Sequence, residues 1–542
     1  MDKKLAENAK VLVIDDQTLA KGYMKYALEE LGFEKLYYVD KPKDALSLLR
    51  SKYFELVVCT YALKQDHDGY FLYEELKSNN ILPTSTAFVF VSADTSTELV
   101  RSIVELQPDD FLVKPFTVAD MNKRLTRILV KKQALKNIYH LIDKRDFPSA
   151  LEEAEQFLTM PEKSEFFPQA LKIKGELLLA CDQPENARDF YYAILNVQDF
   201  SWAHLGLVKA LLLLHEDEEA EKRLLRLAFK PETELLAYDL ITQLNIKKQD
   251  FDTALESAVT AANVSPRNLR RHQQAIDLSR ITADFKTQFE ESKKIAKFAK
   301  DSIHDKPENY LNVVRAGIDY ALTTDAEESE VVAKQASVFL KQATSSASRD
   351  SFDAQITVAH ARLMYLQDDK LSAMQLMEQL DSDYWDDASM DDLLDHAKAF
   401  HELGLHSQSQ SLMDEIERRC QEEDKQSELF LQYIQKEKKQ RREITQSPRD
   451  LNNSAVQHYQ KGDLENALKT FRQAFTVMPK NASIALNLLQ TIAIQAQENA
   501  IPDSSKAVIQ HCFKTIAEGE LSDEQQIRFE KIKNFLNQYH YH

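Results

Sequence analysis

Residues 10–16 read KVLVIDD, an aliphatic run closed by two carboxylates. Four apolar, largely β-branched residues ending abruptly in acids predict a short buried strand whose carboxyl end meets a polar crevice. Four further runs repeat the pattern: LYYV (36–39), ELVVC (55–59), AFVFV (87–91) and DFLV (110–113). Apolar residues at helical spacing fill the intervals, over TLAKGYMKYALEEL (18–31), near 42–51, 69–79 and 95–106, and from about 118. Strands and helices in alternation predict an α/β domain, a five-stranded parallel sheet covered on both faces. In such sheets the working crevice lies at the carboxyl ends of the strands.

The residues at those ends are chemically selective. Asp15 and Asp16 close the first strand, Thr60 the third, Ser92 the fourth and Lys114-Pro115 the fifth. Carboxylates are hard oxygen ligands suited to Mg²⁺. A lysine and a hydroxyl pair with phosphoryl oxygens. VLVIDDQ, FVFVSAD and DDFLVKPF, in that order, strongly resemble the receiver domain of bacterial response regulators, the CheY-like, flavodoxin-like fold. The resemblance implies that Asp15 and Asp16 are metal-side acids, Ser92 the switch hydroxyl, Lys114 the lysine of the fifth strand and Phe111 the switch aromatic. A generic nucleotide binder is disfavoured, because no glycine-rich phosphate loop follows the first strand.

The stretch VVCTYALKQDHDG (57–69) departs from the family. One receiver subgroup carries Asp between Cys and Tyr in a loop of this length; here Thr60 occupies that position. A threonine cannot form the acyl phosphate of a phosphorylated receiver, and the lost carboxylate weakens any Mg²⁺ site. Asp68-Gly69 reads as the cap of the following helix, and Asp66 as a loop acid. Either remains an alternative phosphoacceptor. Lys114 is expected to neutralise Asp15 and Asp16 as a structural ion pair. The expectation is a degenerate receiver that requires no cofactor, with Mg²⁺ at most weakly held.

After residue 130 the pattern becomes purely helical. LNNSAVQHYQKGDLENALKTFRQAFTVMPKN (451–481) matches the tetratricopeptide (TPR) pattern at Gly462, Ala467, Phe471, Ala474 and Pro479. The glycine serves the turn, the alanines a close helix approach, Phe471 the space between the helices, and Pro479 the helix stop. Weaker copies carry Ala254, Ala258, Ala261 and Pro266; Trp202 with Gly206; Gly175, Ala187 and Tyr191; Ala373 and Met377; and Ala150, Ala154 and Phe157. An all-α, TPR-like superhelix follows from this repetition. The expected organisation is a receiver (1–130), a TPR-like array (131–435), a charged linker or helix break (436–450), and a terminal repeat with capping helices (451–542). The resemblance thus extends to receiver–TPR response regulators. With no spacer near 131, the last receiver helix and the first array helix are expected to be continuous or rigidly docked.

Composition narrows the function. The formal charge of −19 disfavours nucleic acid and anionic membranes as partners. The basic cluster Lys436, Lys438, Lys439, Arg441 and Arg442 has no interleaved aromatics and reads as a solvated helix face. Four scattered cysteines suit a reducing, cytoplasmic setting, and ALLLL (210–214) is far too short to span a bilayer. The acidic stretch DSDYWDDASMDD (381–392) lacks the glycine and final glutamate of a calcium loop. No nucleophile elbow, zinc motif or P-loop is present, so no enzyme is expected. The reading is a two-component signalling adaptor. It would dock a histidine kinase, another response regulator or a cyclic-dinucleotide enzyme, and take a peptide or helix in the TPR groove. The alternatives are a phosphorylatable regulator using Asp66 or Asp68, and a TPR chaperone or assembly factor.

Overall fold

The computed structural model describes residues 3–63, 69–94, 96, 105–300, 302, 304–345, 352–380, 388–422, 428–498, 505–519 and 521–538. Asp66, Asp68, the 381–387 part of the acidic stretch, and the histidines of the C-terminal tail lie outside these residues, as does most of the helix expected near 95–106.

The N-terminal domain holds five parallel strands: β1 (Lys10–Ile14), β2 (Lys35–Val39), β3 (Leu56–Thr60), β4 (Ala87–Ser92) and β5 (Asp110–Val113). Their order is β2-β1-β3-β4-β5, with Val13 opposite Val58 and Thr60 opposite Val91. Alternation along β1 feeds both faces. Val11 and Val13 pack with Met24 and Leu28 of the helix Thr18–Glu30 and with Met121 and Leu125 of Val118–Ala134. Leu12 and Ile14 pack on the other side with Ala45 and Leu49 of Pro42–Ser51 and Tyr70 and Leu76 of Gly69–Ser78. A short helix, Lys3–Asn8, precedes β1. Six residues give too little periodicity to read, but Ala6 is fully buried against this core.

The expected boundary at 130/131 falls inside the helix Val118–Ala134, which Thr117 and Asp120 open with a capping box. Only Leu135, itself buried, separates that helix from Lys136–Asp143. Every regular element described beyond is a helix. Contacts divide the chain into two compact units, Met1–Arg271 with Phe298–Asp305, and His272–Lys297 with Lys306–His542. Residues 436–443, within the segment expected to be a charged linker or helix break, continue the helix Glu428–Glu443. Part of its basic cluster is paired, Lys438 with Asp414 and Glu417 and Arg441 with Glu437, while Lys439 and Arg442 are exposed as a solvated face would have them. The break is confined to 444–447, where Ser447 caps Pro448–Gln460.

One turn recurs through the helical region. Arg145, Asp182, His215, Gln249 and Ala283 all have positive φ at a helix end, at intervals of 37, 33, 34 and 34 residues. Asp368, Gly404 and Gly462 repeat the conformation later. The residue following the left-handed one commonly caps the next helix. Asp146, Asp250, Asp369 and Asp463 accept from Ser149, Thr253, Ser372 and Asn466 backbone N–H groups. Asp284 does the same for Thr287. Left-handed exit followed by an aspartate cap satisfies orphan groups at both helix ends and reverses the chain within three residues.

Candidate functional site

The carboxyl ends of β1, β3, β4 and β5 converge as their common parallel register requires. Asp15 is almost fully buried, and its carboxylate is saturated by three donors. The backbone N–H of Gln17 donates to Oδ1 at 2.8 Å. The Thr60 hydroxyl donates to Oδ2 at 2.6 Å, and the Lys114 ammonium approaches the same oxygen at 3.4 Å. Thr60 is thus a donor to the acid it was expected to stand beside. Ser92, also buried, accepts the Asp94 N–H at 3.0 Å, while its carbonyl accepts the Lys114 N–H at 2.7 Å. The Lys114-Pro115 peptide is cis. Asp16 follows Asp15 at the rim and is half-buried.

Phe111 is half-buried and packs with Phe90 and Tyr73 on the opposite face of the sheet. The Cys59 thiol is fully buried there too, and burial together with the Asp15 charge pushes its pKa far above the ordinary thiol range. Behind Thr60 the chain returns at Gly69. A Cβ at Gly69 would lie 2.4 Å from the Thr60 carbonyl oxygen and 3.0 Å from that of Tyr61, so only glycine permits this approach.

Mg²⁺ fits this set poorly. The two Asp15 oxygens already serve Gln17, Thr60 and Lys114, so a dication would displace a hydroxyl donor and a cation to bind. Among the described residues no group of three His, Cys, Asp or Glu side chains could hold a metal ion.

The response regulator receiver domain family matches residues 11–126. The N-terminal domain is a receiver. The probable chemotaxis protein CheY of Rhizobium etli is 25% identical over 125 residues, 23% of this chain and 95% of that protein. Chemotaxis protein CheY-3 of Vibrio cholerae is 25% identical over 128 residues, 24% of this chain and 97% of that protein. Among solved structures, the receiver domain of an HD domain-containing protein from Pseudomonas fluorescens Pf-5 matches at 22% identity, with a TM-score of 0.22 over 24% of this chain and 92% of that one.

Beside the receiver pocket, the helix Thr18–Glu30 presents a stripe to solvent. Leu19 is 91% exposed, Tyr26 56% and Tyr23 42%. Tyr23 donates to the Phe116 carbonyl at 2.7 Å and its ring packs on Phe116, two residues beyond Lys114. Sequence reading missed this stripe, although apolar residues at 19, 23 and 26 lie on one helical face.

In the helical region Tyr191 sits between two glycines. A Cβ on Gly175 would meet its ring at 2.6 Å and one on Gly206 at 2.1 Å. Trp202 packs against Tyr191 at 6.3 Å and Phe200 at 5.5 Å. Ala254, Ala467 and Ala474 are completely buried and Phe471 nearly so. Gly462 has φ +77 with open space about its Cα. Pro266 lies between the helices Phe251–Val264 and Leu269–Thr282, and the Pro479 carbonyl accepts from Thr515 at 2.8 Å.

The second compact unit contains a site that sequence reading overlooked altogether, a buried ionic network. Arg362, 1% exposed, bonds Glu402, Asp395 at 2.6 Å and Asp319 at 2.8 Å. Lys398 meets Asp319 at 2.5 Å, and Arg315 joins Glu308 at 2.9 Å, Asp392 and Asp395. Burial opposes the charge on Asp319, but Lys398 and Arg362 outweigh it and hold the carboxyl well below the usual range. Its signal was present: Asp395, Lys398 and Glu402 fall on one face of a helix whose neighbours are apolar.

Proposed function

We propose that this chain is a two-component signalling adaptor: a receiver that does not accept phosphate, joined to a helical array that binds protein. The carrying observation is the Thr60 hydroxyl at the end of β3, donating at 2.6 Å to Asp15. A hydroxyl there has no carboxylate oxygen to form an acyl phosphate. Its bond, with that of Lys114, replaces the charge balance that a phosphoryl group and a metal would bring. The pocket is held in one state by its own side chains and needs no cofactor.

The array is read as tetratricopeptide repeats. The support is the 33–37-residue recurrence of left-handed turns from Arg145 to Ala283, close to the 34-residue TPR period. Small residues at buried helix contacts point the same way. Stacked hairpins of this kind expose a groove for a peptide or helix. The receiver offers a second surface, the Leu19, Tyr23 and Tyr26 stripe beside the pocket, suited to an amphipathic helix of a kinase or another regulator. Among the described residues no helix is long and apolar enough to cross a membrane. A cytoplasmic, non-enzymatic adaptor remains our reading.

Intact-protein mass spectrometry after incubation with acetyl phosphate and Mg²⁺, beside a Thr60→Asp variant, tests this. The adaptor reading expects a phosphoryl adduct on the variant alone. An acid-stable, base-labile adduct on the unsubstituted chain would overturn it and point to Asp66 or Asp68.

A further inference from the structure

The first compact unit contains a contact between residues about 160 positions apart. The turn after the helix Phe251–Val264 reads SPRNLRR (265–271) and lies against the receiver. The Glu105 carboxylate, nearly buried, accepts from the Ser265 hydroxyl, the Asn268 amide and the Arg271 guanidinium. Arg271 is fixed from behind by a two-pronged pair with Asp239, both contacts at 2.8 Å. Leu269 packs into the receiver cluster that holds Tyr70, Phe71 and Tyr73. The Arg267 guanidinium lies 5.7 Å over the ring of Tyr61, the residue after Thr60. A three-donor charge-assisted site, an apolar plug and a cation–π contact form a built recognition surface. Its occupant is a short basic segment with one leucine.

We propose that the 265–271 turn is a built-in ligand of the receiver, held at Glu105, and that the face it covers takes an outside protein segment of the same basic, leucine-bearing kind once the turn is released. The covered face is the helix Gly69–Ser78 with Tyr61 and Glu105. Its acidic and aromatic character makes it selective: Glu105 offers charge, while Tyr61, Tyr70 and Phe71 offer ring surface. Pro266, the proline of a weaker repeat copy, precedes the residues that reach this face.

Hydrogen exchange on the full-length Arg271→Gln and Asn268→Ala variants tests the latch. A fluorescent peptide of residues 263–273 tests the receptor. Losing one charge-assisted bond raises the open population about tenfold or more. Exchange should therefore rise by that factor in both 69–78 and 265–271, while 201–213 stays unchanged. The peptide should bind the Arg271→Gln chain at least about tenfold more tightly than the unsubstituted chain, and adding Glu105→Gln should abolish binding. Unchanged exchange in both variants overturns the latch. A chain-wide rise with loss of helical signal also overturns it, because the contact would then be core structure. Raised exchange without peptide binding overturns the receptor.

Discussion

At position 60 one hydroxyl stands where a carboxylate would have met Asp15 as a like charge. Thr60→Asp should therefore lose the 2.6 Å bond and gain repulsion, costing about 1.5–3 kcal/mol from the bond alone. Mg²⁺ should recover that loss in the variant and leave the unsubstituted chain's melting temperature unmoved. Thermal melts with and without the ion check this, and equal responses would mean that Thr60 does not decide metal binding. Glu74 provides a proton-linked counterpart. Burial raises its carboxyl to about 7, with Arg270 and Arg271 opposing and Glu105 and Glu75 reinforcing. Because the raised acid favours its neutral form in the folded chain, the penalty is absent below the ordinary value near 4.5, grows as pH rises to about 7, and is constant above. Glu74→Gln should remove that slope and stabilise the first unit at pH 8. Urea midpoints at pH 5.5 and 8 measure it, and a wild-type slope in the variant would refute the assignment.

At the scale of elements, strands were the most legible feature. DFLV is β5, and the other four runs lie within one residue of theirs, because buried parallel strands are short apolar blocks between polar ends. Strand ends in order also made the convergence of β1, β3, β4 and β5 readable. Helix turns were less legible. Among the described residues of the helical region only Gly404 and Gly462 advertise a left-handed exit; at its other turns Arg, Asp, His, Gln or Ala adopts it. Those residues carry no backbone signature, so packing of the flanking helices must impose the conformation. Gln249→Gly should then stabilise its hairpin by up to about 1 kcal/mol, since the left-handed penalty disappears. Asp250→Ala should cost about 1 kcal/mol through the lost cap. Gly206→Ala should cost more, about 1–3 kcal/mol, because Tyr191 must move. Denaturant unfolding of the three variants gives the order. A neutral Gly206→Ala would mean that the ring yields freely. The Glu105 contact with Arg271 was invisible for another reason: pairs 166 residues apart leave no periodic trace.

At the scale of the whole chain, two compact units with separate cores carry different kinds of cohesion. The first joins the receiver sheet to helical hairpins. The second is organised around charge that the sequence shows only as scattered Arg, Asp and Glu. Of its cations, Arg362 is central, because it alone bonds Asp319, Asp395 and Glu402. Removing one partner of a buried network leaves the others uncompensated, which costs about 3–5 kcal/mol. Replacing the network by apolar residues of similar volume carries no such penalty. Arg362→Met should therefore weaken the second unit by about that amount, while Arg362→Met combined with Lys398→Met, Asp319→Leu and Glu402→Leu, which removes two cations with two acids and leaves Asp395 to Arg315, should recover part of it. Because the network lies entirely within one unit, hydrogen exchange in urea should register the loss across 307–323, 353–366 and 390–403. The receiver strands should keep their protection. Equal loss in β1 and β3 would mean that the chain unfolds as one cooperative block. An undiminished second unit would mean that water enters the network and solvates the orphaned carboxylates.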